Sequence, residues 1–287
     1  MRKLRTVLVT GAGGQLGADL TGELRRRGYE APIVSSREMD ITEFAAVERV
    51  LLSLRPDAVI HCAAYTAVDA AETDGERCDA VNRLGTEHLS RVCAALRIPL
   101  LYVSTEYVFS GAGSEPWKPE DPPHPLNVYG QSKYAGELAV RKYLREYFIV
   151  RISWLFGSHG KNFVSTMLRL GAERDTLSVV CDQVGSPTYS ADLAVLLSDM
   201  IATDKYGIYH ASNEGFCSWY DFACEIFRQA GMRVQVRPVS TAEYGRSGAV
   251  RPLNSRMDKS KLAENGFTPL PDWRDALGRY LKETEKP

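Results

Sequence analysis

From residue 6 to residue 153 short β-branched runs alternate with longer stretches of helical periodicity, and this alternation constrains the fold more than any other feature of the chain. Residues 6–10 read as a strand and 15–27 as a helix closed by Gly28. Residues 31–35 read as a second short strand, 44–54 as a helix, and 57–62 as an apolar strand bounded by Pro56. A helix over 80–95, a strand over 100–104, a helix over 127–146 and a strand over 148–153 complete the series, with a proline-rich loop at 116–125. Strands separated by helices of this length form βαβ units, which build a parallel sheet covered by helices on both faces. Both faces being covered, the strands are apolar at nearly every position.

Beyond residue 155 the alternation becomes irregular. Turn signals stand at 185–187 and 245–248, and helices are expected over 162–173, 191–202 and 218–230. The predicted architecture is α/β: a Rossmann-type, doubly wound parallel sheet built mainly from residues 1–155. A smaller, discontinuous region for substrate, mainly 156–287, sends some chain back to the first domain. No internal repeat or low-complexity segment interrupts it.

The first strand runs into Thr10-Gly11-Ala12-Gly13-Gly14-Gln15-Leu16-Gly17, which opens the first helix. Glycines here let the backbone turn sharply and approach a pyrophosphate, whose charge meets the amides of the helix N-terminus. The spacing of Gly11, Gly14 and Gly17 is GxxGxxG, and its place after the first strand points to a dinucleotide. An acidic residue ending the second strand would bind the ribose hydroxyls of NAD. That region instead reads Val34-Ser35-Ser36-Arg37, with no carboxylate before Glu38. Arg37 is either a charge-assisted partner for a 2′-phosphate or a solvated loop cation. NADPH is the expected cofactor, with NADH as the alternative.

Tyr129 and Lys133 stand four residues apart near a helix start, so they share one face. A free tyrosine, with a pKa of about 10, is a poor acid–base catalyst at neutrality; a neighbouring ammonium lowers that value. The strand end Ser104-Thr105-Glu106 adds a hydroxyl where an α/β sheet places its site.

Several blocks occur in order: TGAGGQLG, HCAAYTAVDAAE (61–72), VN (81–82), STEYVFSG (104–111), PLNVYGQSK (125–133), RISWLFG (151–157), DQVGSPT (182–188), RPLNS (251–255) and PLPDWRDAL (269–277). Together they make the chain resemble the dTDP-4-dehydrorhamnose reductases of the extended short-chain dehydrogenase/reductase superfamily, over nearly its whole length. The resemblance implies reduction of the C4 ketone of dTDP-4-dehydro-L-rhamnose. Tyr129 would protonate the incipient alkoxide, Lys133 would hold the nicotinamide ribose and depress the tyrosine pKa, and Thr105 would hydrogen-bond the sugar oxygen. Gln15 and Leu16 would lie at the cofactor with the glycines, Asp40 and Ile41 by the adenine, and Ala63, Ala64, Tyr65 and Thr66 along the cofactor. Trp154 would pack on the sugar, with Val68, Glu106, Tyr107, Asn162 and Arg251 as further substrate-side residues. Glu106 departs from the family's usual aspartate by one methylene, which bears on how the sugar is placed. The family includes metal-linked dimers, but Gln15 stands where such a form would carry an acid, so no metal is expected.

The same resemblance extends to the non-catalytic regulatory β subunit of methionine adenosyltransferase and, more broadly, to nucleotide-sugar epimerases and dehydratases. Retention of Thr105, Tyr129, Lys133 and Trp154 favours a reductase. Composition narrows the partners: 35 basic against 36 acidic side chains give a net charge of −1, with no global field to draw a nucleic-acid polymer or an anionic membrane. No run approaches the ~20 apolar residues of a membrane span, and the apolar run after the basic residues 1–5 is too short for a signal peptide. The six cysteines form no CxxC pair and no metal-like grouping with the five histidines. A reduced cytoplasmic enzyme, monomeric or homodimeric and acting on a small dTDP-sugar, is the resulting expectation.

Overall fold

The computed structural model describes residues 4–245 and 248–284. Residues 1–3 with Arg2 and Lys3, positions 246 and 247 of the expected 245–248 turn, and residues 285–287 lie outside the described residues. Strand β1 (Val7–Thr10) leads into helix α1 (Gln15–Arg26), followed by α2 (Phe44–Leu54), β2 (Ala58–His61), and the short helices α3 (Val68–Ala71) and α4 (Gly75–Asp79). A π-helical turn, Ala80–Leu84, feeds α5 (Gly85–Leu96), and β3 (Leu100–Thr105), α6 (Val128–Tyr143) and β4 (Tyr147–Ile152) follow. The remaining elements are β5 (Leu155–Phe156), α7 (Phe163–Glu173), β6 (Thr176–Val180), β7 (Val184–Gly185), β8 (Thr188–Tyr189) and α8 (Ser190–Ile201). After them come β9 (Gly207–His210), β10 (Cys217–Ser218), α9 (Trp219–Gln229), β11 (Gln235–Val239), α10 (Thr241–Tyr244), α11 (Ser260–Glu264) and α12 (Trp273–Thr284).

The main sheet has the order β1-β2-β3-β4-β9, and every neighbouring pair in it is parallel. Alternation along each strand serves two cores. Val7, Val9, Ile60, Leu101, Val103, Phe148 and Val150 join Leu16, Leu20 and Leu24 of α1 and Leu193 and Leu197 of α8 on one face. Leu8, Val59, Leu100, Tyr102 and Ile149 join Val47 and Leu51 of α2, Leu89 of α5 and Val140 of α6 on the other. A sheet buried on both faces by helices is the doubly wound architecture. A third cluster, around Phe156, Phe222, Trp273 and Tyr280, packs α7, α9 and α12 together beside β6 and β8.

Residues 31–35 do not form the expected second strand. Pairing there is limited to isolated parallel bridges, Thr6 with Glu30 and Val9 with Ile33. Pro32 has no amide hydrogen to give to a ladder, and Ile33 is 59% exposed. The segment still flanks β1 on the side opposite β2, so the end of β1 is a switch point, where open α/β sheets bind ligands. Chain beyond residue 155 returns to the sheet through β9, whose single β-branched residue gives little strand signal.

Candidate active site

A cavity of about 1300 Å³ opens along the carboxyl ends of β1, β2, β3 and β4. Its floor at β1 is the glycine-rich turn. Gly11 has φ +69°, and a Cβ there would stand 2.8 Å from the Ala63 amide nitrogen; a Cβ on Gly17 would stand 2.1 Å from the Gly11 carbonyl oxygen. The turn and the helix behind it can therefore close only with glycine at both positions. Helix α1 begins with no side-chain cap and no acidic residue in its first turn, leaving its amides for an anion. Gly17→Ala should consequently weaken NADPH binding by roughly tenfold or more, the extra methyl forcing backbone apart at the N-terminus that receives the phosphates. Titration of cofactor fluorescence reads this directly, and unchanged affinity would contradict the placement.

Buried polar contacts hold the wall at β2. The His61 ring bridges Thr10 Oγ1 at 2.7 Å and Thr86 Oγ1 at 3.1 Å, and burial pushes its pKa down to about 3, so it is a neutral strut. Asn82, in the π-helical turn, accepts from the Tyr65 amide at 2.9 Å, and its side-chain amide donates to the Tyr65 carbonyl at 3.1 Å and to Ser132 Oγ at 2.9 Å. Ser132 in turn donates to the Tyr129 carbonyl at 2.8 Å. One asparagine thus ties the loop after β2 to the start of α6, and single π turns of this kind recur at functional sites. The VN block placed Asn82 in the sequence resemblance, but spacing alone gave no reason to assign it a role.

Asn127 caps α6 by accepting from the Gly130 amide at 2.8 Å, which aims Tyr129 and Lys133 into the cavity. Burial and the nearby Glu106 carboxyl push the Tyr129 phenol well above its ordinary range, partly offset by Thr105. The Lys133 side chain reaches the same cavity. It donates to the Val103 carbonyl at 2.7 Å and lies over the Tyr102 ring, while burial pulls its pKa down to about 7. Thr105 Oγ1 donates to Glu106 at 2.7 Å, and both residues are almost wholly buried.

Burial likewise raises the Glu106 carboxyl to about 7, its bond from Thr105 working in the opposite direction. Below the unfolded carboxyl value near 4.5 both states hold the proton. Between there and about 7 the folded state keeps a proton that the unfolded chain has released, so stability falls as pH rises through that window. Glu106→Gln should remove this slope, so its Tm should gain on the wild type from about pH 5 to about pH 8. Parallel Tm–pH curves would contradict the assignment.

Of the residues expected at the site, Gly11, Gly14, Gln15, Leu16, Gly17, Asp40, Ile41, Ala63, Ala64, Thr66, Val68, Thr105, Glu106, Tyr107, Tyr129, Lys133 and Trp154 line this cavity. Four do not. Arg37 stands in an exposed turn, where Ser35 and Ser36 take the wall instead. Tyr65 has its backbone held by Asn82 and its hydroxyl directed to Asp74 at 3.4 Å. Asn162 caps α7 through the Ser165 amide and donates to Gln15 at 3.1 Å and to the Gly157 carbonyl at 2.8 Å. Arg251 forms an ion pair with Asp69 at 2.9 Å. Conversely Arg77, His159, Lys161 and Trp219 line the cavity without having been singled out from sequence. Among the described residues no group of three or more His, Cys, Asp or Glu side chains is placed to hold a metal ion, all six cysteines are free, and no helix is long and apolar enough to cross a membrane.

A doubly wound parallel sheet, an uncapped glycine-rich helix start and a Tyr–Lys pair in one cleft define a dinucleotide-binding α/β protein with a polar reaction site at its strand ends. More narrowly, the chain belongs to the family described as the RmlD substrate binding domain, whose model matches residues 5–286. It is similar to dTDP-4-dehydrorhamnose reductase of Streptomyces griseus, 44% identical over 94% of this chain and 91% of that protein. It also resembles the spore coat polysaccharide biosynthesis protein SpsK of Bacillus subtilis, 39% identical over 96% of this chain and 97% of that one. Among solved structures it matches dTDP-4-dehydrorhamnose reductase from Bacillus anthracis in complex with NADP, with a TM-score of 0.94 and 45% identity, covering 98% and 100% of the two chains.

Proposed function

We propose that this chain uses NADPH to reduce the C4 keto group of dTDP-4-dehydro-L-rhamnose, giving dTDP-L-rhamnose. The observation that carries the reading is that Tyr129, Thr105 and Lys133 share one cavity with the glycine-rich turn. The uncapped start of α1 fits a dinucleotide phosphate, and bound NADPH supplies the hydride for the ketone. Tyr129 then gives its hydroxyl proton to the carbonyl oxygen as negative charge develops there. The phenol holds its proton at neutral pH, the form from which a general acid gives it up. Thr105, now bonded to Glu106, would turn its hydroxyl to the sugar oxygen, and Lys133, now bonded to the Val103 carbonyl, would take a ribose hydroxyl of the cofactor.

Residues 1–155 mainly serve the cofactor in this reading, and the region mainly from 156 onward closes the sugar side against Trp154. The enzyme works in the cytoplasm on a soluble sugar nucleotide, as a monomer or homodimer. Incubation of the purified chain with NADPH and dTDP-4-dehydro-L-rhamnose should consume one NADPH per sugar converted. NADPH loss independent of sugar, or sugar conversion without NADPH loss as in an epimerase, would overturn the proposal.

A further inference from the structure

Trp154 combines a strained backbone with a side chain held from two directions. It has φ +48°, a left-handed conformation that a bulky residue adopts only where its surroundings over-determine it. Those surroundings are on either side of the residue. Ser153 Oγ donates to the Ser186 carbonyl at 2.6 Å, Thr188 Oγ1 donates to the Ser153 carbonyl at 2.5 Å, and the Thr188 amide donates to the Trp154 carbonyl at 3.1 Å. The β5–β8 pairing that begins at Leu155 and Thr188 continues the clamp. The strain thus turns one residue out of line between β4 and β5 and delivers its indole to the cavity wall.

The indole is then fixed by two contacts from the second region. Trp219, the first residue of α9, stacks on it with ring centres 3.7 Å apart and planes within 14°. Trp219 is itself backed by Phe163 of α7 at 4.5 Å. Gly185 closes on the indole elsewhere: a Cβ there would stand 3.0 Å from Trp154 Cε2 and 3.1 Å from Cζ2. Both tryptophans line the cavity and are half-buried. A core role alone would not require an αL backbone at Trp154 or leave both rings on the cavity surface.

We infer that Trp219 is a positioning residue for the sugar-nucleotide substrate, stacking on Trp154 so that, with Gly185, it fixes the indole against which the sugar packs. The inference rests on the proposed reductase activity, and it assigns Trp219 and Gly185 a role in sugar recognition. Aromatic walls bind sugars through their apolar surface, and the gain depends on the ring already standing in the bound orientation. Loosening the ring should therefore raise the KM for sugar and spare the cofactor.

The test compares Trp219→Leu, Trp219→Phe and Gly185→Ala with the wild type. Trp219→Leu and Gly185→Ala reach the same indole from different sides, one by removing its stacking partner and one by pushing it. Both should raise the sugar KM by roughly fivefold or more, with the NADPH KM changed less than twofold, and Trp219→Phe should restore most of the loss. Two stacked indoles also couple in the near-ultraviolet circular dichroism spectrum. That signal should vanish in Trp219→Leu and, because the pair already stands in its bound orientation, persist in the wild type on saturation with dTDP-L-rhamnose in the presence of NADPH. Lost coupling with an unchanged sugar KM would overturn the inference, as would a wild-type coupling that disappears on saturation with dTDP-L-rhamnose, which needs no variant to fold. A wild type that does not oxidise NADPH with the sugar would instead count against the reductase reading itself.

Discussion

Replacing Tyr129 by phenylalanine should lower turnover by at least ~10²-fold, the scale expected when a positioned general acid is lost. The phenyl ring keeps the packing, including the edge-on contact with Tyr107 at 5.5 Å between ring centres. Only the hydroxyl oxygen disappears, so the melting temperature and the affinity for NADPH should stay near those of the wild type. The cofactor floor is built from the glycine-rich turn and α1, not from the phenol. Near-wild-type turnover in Tyr129→Phe would show that another group delivers the proton. A joint loss of turnover and cofactor affinity would show that the change had disturbed the wall rather than the chemistry.

The second large effect concerns stability. Glu137 lies two turns of α6 beyond Tyr129 and is 1% exposed, while Arg151 of β4 is 2% exposed. The guanidinium donates to both carboxylate oxygens, at 2.9 and 2.8 Å, and Ser104 Oγ adds a third bond at 2.6 Å. Arg151 also donates to the Pro119 carbonyl at 3.1 Å. Removing one partner of a buried pair strands the other charge in a poorly solvated place and typically costs 3–5 kcal/mol. Glu137→Ala should therefore destabilise the protein by about that amount in urea unfolding, enough to unfold a large fraction of a marginally stable chain. Glu137→Gln, which keeps an acceptor for Ser104, should cost less. Because Ser104 precedes Thr105 and Glu137 follows Lys133 by one turn, the Ser104–Glu137 bond also fixes β3 against α6 at the reaction site. A loss below about 1 kcal/mol would indicate that water reaches Arg151 once the carboxylate is gone.

Much of the sheet was legible because its strands carry the signal that burial on both faces demands. The runs at β1, β2, β3 and β4 are apolar and β-rich, and each is separated from the next by a helix with a clear period. The 31–35 run carried the same composition, yet Pro32 limits its pairing, and residue content alone does not count amide hydrogens. Strand β9 was missed for the opposite reason: Gly207-Ile208-Tyr209-His210 is no shorter than β1 or β2 but opens on glycine and carries one β-branched residue, and it joins the sheet by pairing with β4.

The site was legible where chemistry needs particular residue types at fixed spacing, as for Tyr129, Lys133 and the glycines. It was not legible where a side chain's direction depends on a distant partner. Lys133 lines the cavity with Tyr129 as their spacing implies, but nothing in the spacing shows that its ammonium rests on the Val103 carbonyl. Arg251 and Asn162 carry suitable donors, yet Asp69 takes the first and the Gln15 and Gly157 oxygens the second. The sequence around Trp219 marks a helix start but not a site. Ser218 and Asp221 form a capping box, whose S-x-x-D spacing marks a helix start; the strand end just before it places Trp219 at a junction where sites form.

Transfer of deuterium from NADPH carrying the label at the reactive face of nicotinamide C4 distinguishes reduction at the sugar's C4 from any other fate of the hydride. Incubation with dTDP-4-dehydro-L-rhamnose should give dTDP-L-rhamnose with one deuterium, at C4 of the sugar and nowhere else, and one oxidised cofactor for each product molecule. Product with the label at another carbon, or an altered sugar carrying no label while NADPH stays reduced, would contradict the account.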